Sequence, residues 1–147
     1  YTAERFKINS LDPKVNITTG YIDRTVYDTN PLTHNDFKEY LINKHNKNIS
    51  DLVFNNINNL IKDIFICFMS HIGNSPTLYN NLKFQLYGVD VSINNKFNAQ
   101  IMEINKGPDL GAKDKRDSEL KHNLVRNMFN IVGLSNSNID NNFIQVL

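Results

Sequence analysis

Hydrophobic residues recur every three or four positions in three stretches of the chain and alternate in a fourth. Thr33 followed by Asn35-Asp36 has the form of a helix start, and Phe37, Tyr40, Leu41 and Lys44 fall on one face, which predicts a short helix over about 35–46. Ile49-Ser50 then offer a hydrophobic residue and an N-cap. Val53, Ile57, Leu60, Ile61, Ile64, Phe68 and Ile72 come next at three- and four-residue steps until Gly73, predicting a long helix over 49–72 whose wide apolar face suits packing on a sheet. A last helix is predicted over about 115–132. Leu120, Leu124, Met128 and Ile131 share a face there, with Asp117 in the first turn and Gly133 just past the end.

Between the second and third helices the period changes to two. Lys83 to Ile93 and Phe97 to Asn105 read as strands, joined by Asn94-Asn95-Lys96, which has hairpin-turn chemistry. From Tyr1 to about Thr29 a looser alternation, broken at Asp12-Pro13 and Thr19-Gly20, predicts short strands joined by turns. The sum is an α+β chain, an antiparallel sheet covered by helices.

At 147 residues, 40% hydrophobic and 21% charged, with mean hydropathy −0.42, the chain has the size and composition of one globular domain. Roughly one residue in six is asparagine, a bias that carries no chemistry. Sixteen basic against fifteen acidic residues leave a net charge of +1 and no basic stripe, so a dedicated nucleic-acid binder is not indicated. The longest apolar run, Ile64 to Met69, is far short of a membrane span, and no membrane partner is expected. Cys67 stands alone inside that run and reads as an inert packing residue, which favours a reducing, cytoplasmic setting. The opening Tyr1-Thr2-Ala3-Glu4 has neither Met nor a leader pattern and suggests a piece of a longer protein.

The hairpin holds the candidate chemistry. Glu103 and Asn105 share a strand face, and a two-residue loop at Asn95-Lys96 would set Asp90 opposite Ile101, diagonal to Glu103 and on that same face. Two carboxylates and an amide oxygen would then converge, an oxygen-only set suited to Mg²⁺ and unsuited to zinc. Acidic residues on antiparallel strands more often simply face water, and spacing alone does not choose between the two. Lys106, Lys113, Lys115 and Arg116 around the next loop read as a solvated face. The four histidines, at 34, 45, 71 and 122, have no spacing suited to a metal or a nucleophile pair.

Phe84-Gln85-Leu86-Tyr87-Gly88-Val89-Asp90, succeeded by Glu103-Ile104-Asn105-Lys106-Gly107-Pro108-Asp109-Leu110, resembles the signature of the tubulin-tyrosine ligase family: a strand F-x-L-x-G-x-D, a turn, then E-(V/I)-N-x-x-P-x-L. The helix ending in Ile131-Val132-Gly133-Leu134 is similar to the helix that succeeds this motif in that family. Asn16-Ile17-Thr18-Thr19 resembles an altered H-L-T-N motif, with Thr18 kept and Thr19 in place of the final Asn, and Tyr1 stands where the family carries an Arg.

The resemblance implies that residues 1–134 are the C-terminal part of an ATP-grasp domain, with 135–147 a polar tail. It implies Mg²⁺ held by Asp90, Glu103 and Asn105, ATP as co-substrate with Thr18 and Asn105 contributing to its site, and Asp90 and Glu103 as the catalytic pair. The implied reaction joins a free amino acid to a carboxylate of a protein acceptor such as tubulin, through an acyl phosphate, in a cytoplasmic or cytoskeleton-associated setting. An ATP-grasp ligase acting on another substrate, a nucleotide-binding pseudoenzyme and a non-catalytic interaction module remain open beside it.

Overall fold

A computed structural model describes residues 5–16, 31–71, 84–135 and 143–147. By its internal contacts the chain divides into two units, 1–51 and 52–147.

In the first unit the described residues before 17 contain one helical turn and no strand. Pro13 opens this turn, α1 (Pro13–Asn16), where its missing N–H costs nothing, and Val15 is buried. The strands expected near residues 6–8 and 15 are therefore corrected in the described part; Thr18 and the rest of 17–30 lie outside the described residues.

Helix α2 (His34–Lys44) starts where the sequence places it. Thr33 Oγ1 accepts from the Asp36 N–H at 3.1 Å, and Asp36 Oδ2 accepts from the Thr33 N–H at 2.9 Å, a reciprocal cap that satisfies two otherwise orphaned donors. Leu41 is its buried residue. Helix α3 (Lys47–Met69) begins earlier than Ser50 suggested. Asn46 is the cap, its Oδ1 accepting from the Ile49 N–H at 3.0 Å, while Ser50 lies inside the helix, buried, with its hydroxyl near the Lys38 carbonyl.

The second unit holds the remainder of α3, the hairpin β1 (Tyr87–Ile93) and β2 (Ala99–Lys106), and α4 (Lys115–Ile131). Two contacts tie α3 to the hairpin: Phe65 meets the Tyr87 ring at 5.6 Å between centroids, and Asn56 Nδ2 donates to the Phe97 carbonyl at 3.1 Å. Val53 is fully buried. Truncating it in a Val53→Ala protein should cost about 1.5–2.5 kcal/mol in urea unfolding, the loss of two buried methyl groups plus a small cavity. An unchanged midpoint would mean that the site collapses without penalty.

Cys67 is exposed, as are its neighbours Ile66, Phe68 and Met69, so the packing role read from its apolar surroundings is corrected. Ile72 and Gly73 lie outside the described residues. Helix α4 ends as the sequence suggests: Gly133 takes a φ of +77°, and the Leu134 N–H reaches back to the Phe129 carbonyl at 2.9 Å. No helix among the described residues is long and apolar enough to cross a membrane.

Candidate metal and nucleotide site

The hairpin sorts its side chains cleanly. Tyr87, Val89, Val91 and Ile93 pair with Lys106, Ile104, Ile101 and Ala99 to make an apolar face, and Gly88, Asp90 and Ser92 pair with Asn105, Glu103 and Gln100 to make a polar one. Asp90 and Glu103 are direct partners across the ladder, not diagonal neighbours as the sequence suggested.

Two local features change the register, each by one residue. The loop has three residues. The Asn94 N–H donates to the Asn98 carbonyl at 3.1 Å, the Phe97 N–H donates to the Asn94 carbonyl at 3.0 Å, and Phe97 sits in the left-handed region at φ +64°. Asn94 Oδ1 accepts from the N–H groups of Lys96 and Asn98, which stabilises a turn whose last position is strained for an aromatic residue. A bulge then falls between the Asp90 and Val91 pairs, leaving Met102 without a cross-strand partner and 70% exposed. Without that extra residue Ile101 and Glu103 would share a face. With it, Ile101 and Ile104 both turn to the apolar side, and Glu103 and Asn105 meet Asp90 and Gly88 on the polar one.

Directly opposed residues have Cβ atoms about 4.5–5.5 Å apart, so the carboxylates of Asp90 and Glu103 are within reach of one cation. Both are exposed, and neither makes a salt bridge among the described residues, where the pairs formed are Lys47–Asp51, Lys113–Asp109 and Lys121–Asp117. Two like charges face to face, with no cation from the described residues paired to them, repel. The donor set fits a hydrated Mg²⁺, which takes one or two carboxylates and keeps water or phosphate oxygens in its remaining positions. No cluster of three or more His, Cys, Asp or Glu occurs among the described residues, and the third donor here is the Asn105 amide. Thr18, the other residue assigned to the nucleotide, lies outside the described residues.

Gly88 explains why the glycine and the proline of the motif belong together. A Cβ at Gly88 would lie 3.0 Å from Pro108 Cβ and 3.8 Å from Asn105 Cβ, so the bare backbone lets the proline ring close beside the polar face. A Gly88→Ala protein should lose about 1–3 kcal/mol of stability in thermal unfolding as Pro108 is pushed outward. Unaltered melting would show that the loop yields freely.

The loop after β2 is fastened more firmly than its charged sequence suggests. Gly107 turns the chain at φ +91° and continues the ladder to the Leu86 carbonyl. Asp114 caps α4, its Oδ1 accepting from the Asp117 N–H at 2.8 Å. Asp117 is buried, 8% exposed, and its Oδ2 accepts from the Lys113 N–H at 2.9 Å and from Lys121 Nζ at 3.1 Å. Lys121 also donates to the Gly111 carbonyl at 2.7 Å. Lys106, Lys113, Lys115 and Arg116 are exposed, as the sequence suggests, while Asp117 and Lys121 form the clamp that holds the motif loop to α4. The sequence marks Asp117 as a first-turn acid, and its pairing with Lys121 went unread although the i, i+4 spacing was visible.

The tubulin-tyrosine ligase family profile matches residues 9–141. A protein named probable tubulin polyglutamylase TTLL9 from Rattus norvegicus is 27% identical over 140 residues, covering 91% of this chain and 29% of its own length; the Bos taurus protein of the same name is also 27% identical. A probable alpha-tubulin polyglutamylase Ttll1 from Tetrahymena thermophila is 31% identical over 93 residues, 63% of this chain and 21% of that protein. No solved structure matches the chain significantly. The chain spans less than a third of the length of these curated relatives. With a profile match running through both halves of the hairpin motif and the clamped loop, the chain belongs to the tubulin-tyrosine ligase family.

Proposed function

We propose that the chain is part of an ATP- and Mg²⁺-dependent ligase that joins an amino acid to a carboxylate of a protein acceptor. The observation that carries this is the pair Asp90 and Glu103, directly opposed on the polar face beside Asn105 and without a salt bridge among the described residues. Asp90 and Glu103 hold the cation by their carboxylates and Asn105 adds its amide oxygen. Bound there, Mg²⁺ would neutralise charge on the β- and γ-phosphates. Positioning and charge neutralisation are most of what phosphoryl transfer asks of a protein.

In the proposed reaction an acceptor carboxylate oxygen attacks the γ-phosphorus and ADP leaves. The amine of the incoming amino acid then attacks the acyl carbon and inorganic phosphate leaves, giving an amide. The names of the relatives support tubulin as acceptor, glutamate as the amino acid and a setting on the cytoskeleton.

Thr19 in place of the final asparagine of the altered H-L-T-N motif favours a second reading, a pseudoenzyme that binds Mg·ATP without turnover. Calorimetric titration of Mg·ATP, then a ligation assay with tubulin and radiolabelled glutamate, separates the two. Binding with incorporation supports the ligase, binding alone supports the pseudoenzyme, and absence of binding removes both.

A further inference from the structure

One stripe of helix α4 is exposed along its whole length. Lys115, Glu119, His122, Arg126 and Phe129 succeed one another at alternating four- and three-residue steps, which keeps them on one line along the helix, and all five lie at the surface. Phe129 is 38% exposed, and with Leu110, 41% exposed, it borders an open groove whose other apolar side chain is Val125. Apolar surface is therefore left uncovered beside the C-terminal end of the stripe.

The charges of this stripe match one another when it is reversed. Lys115, Glu119 and Arg126 make no salt bridge among the described residues. Glu119 and Arg126 stand two helical turns apart, about 10.5 Å along the axis. A twofold axis crossing the helix between His122 and Asn123 brings each to the other's height on an antiparallel second copy. Arg126 of one copy then meets Glu119 of the other, and Glu119 meets Arg126, two ion pairs from one surface patch, as an isologous contact requires. The same alignment sets Phe129 against the second copy's Lys115, an ammonium beside an aromatic ring.

We infer that this face of α4 pairs with a second copy of the chain, the two α4 helices antiparallel and joined by reciprocal Arg126–Glu119 contacts. Self-complementarity selects a second copy: a stripe of one sign would call for the opposite sign elsewhere, whereas this one carries both, at the spacing that its own reversal matches. Exposed ion pairs contribute little each, so the dimer is weak and dissociates as ionic strength rises. The pairing does not rest on the proposed ligation.

Sedimentation velocity of the full chain at low salt, from about 5 to about 500 μM, tests it. The parent should pass from monomer to dimer as concentration rises. Arg126→Glu and Glu119→Arg each set like charges opposite one another and should raise the dimer Kd at least about tenfold; an equimolar mixture of the two should dimerise as the parent does, because each variant meets its opposite in the other. Lys96→Glu, a charge change placed in the hairpin turn, should leave the dimer intact. Should either α4 variant lose its fold by circular dichroism, Arg126→Gln and Glu119→Gln replace the pair, with a severalfold loss expected from each. A parent that stays monomeric throughout, α4 variants that dimerise as the parent does, a mixture no better than its components, or an equal loss in Lys96→Glu would overturn the proposal. Failure of Mg·ATP to bind would remove the ligase reading and leave this result untouched.

Discussion

A Glu103→Gln protein is expected to lose ATP-dependent ligation by about a hundredfold or more while unfolding at the same denaturant concentration as the parent, or a higher one. Activity should fall because the glutamine amide keeps the shape of the side chain and removes the charge that a cation at this site requires. Stability should hold because Glu103 is exposed, makes no salt bridge among the described residues, and stands directly opposite another carboxylate. Removing one of two facing like charges relieves a repulsion of a few tenths of a kcal/mol. Asp90→Asn should behave alike, and the double variant should be little worse than either single one, since one lost ligand already disables the site. Activity near the parental level in both single variants, measured by glutamate incorporation, would remove the metal role from this pair.

The second large effect lies in stability. Asp117→Ala is expected to cost about 2–4 kcal/mol in urea unfolding. The substitution strands the Lys113 N–H and leaves the Lys121 ammonium, whose side chain is 19% exposed, without its carboxylate. Asp117→Asn should cost less, because an amide oxygen still accepts from Lys113. Since the clamp fixes the loop that carries Pro108 and Leu110, Asp117→Ala should also weaken Mg·ATP binding although the residue is remote from the carboxylate pair in sequence. A cost below about 0.5 kcal/mol would mean that water replaces the clamp.

The hairpin, the three long helices and the polar character of the hairpin's one face were legible in the sequence because they depend on period and local chemistry. Alternation marked β1 and β2, Thr33 and Asp36 marked the start of α2, and Gly133 marked the end of α4. The register was not legible. It depends on Phe97 adopting a left-handed backbone and on Met102 being squeezed out of the ladder, neither of which a two-residue turn rule anticipates. A signal for the bulge was present: Ile101 and Ile104 stand three apart, and two β-branched residues at that spacing share a strand face only if an extra residue intervenes.

The burial of Asp117 escaped for a different reason. A charged residue four before a lysine at a helix start looks like a solvated pair, and what buries it is the loop of residues 107–113, whose course is set by Gly107, Pro108 and the hydrogen bond from Lys121 to Gly111. Cys67 shows the converse. Apolar neighbours in sequence implied a core position, yet Ile66, Phe68 and Met69 are themselves exposed. Apolar periodicity reports which face is hydrophobic, and not whether something covers it.

The most direct test of the metal site is paramagnetic broadening of backbone amide resonances by Mn²⁺, used in place of Mg²⁺ with ATP present. Broadening centred on Gly88, Asp90, Glu103 and Asn105, and abolished in Glu103→Gln, is the expected result. Broadening centred elsewhere, or unchanged in Glu103→Gln, would contradict the assignment of the paired carboxylates as the cation site.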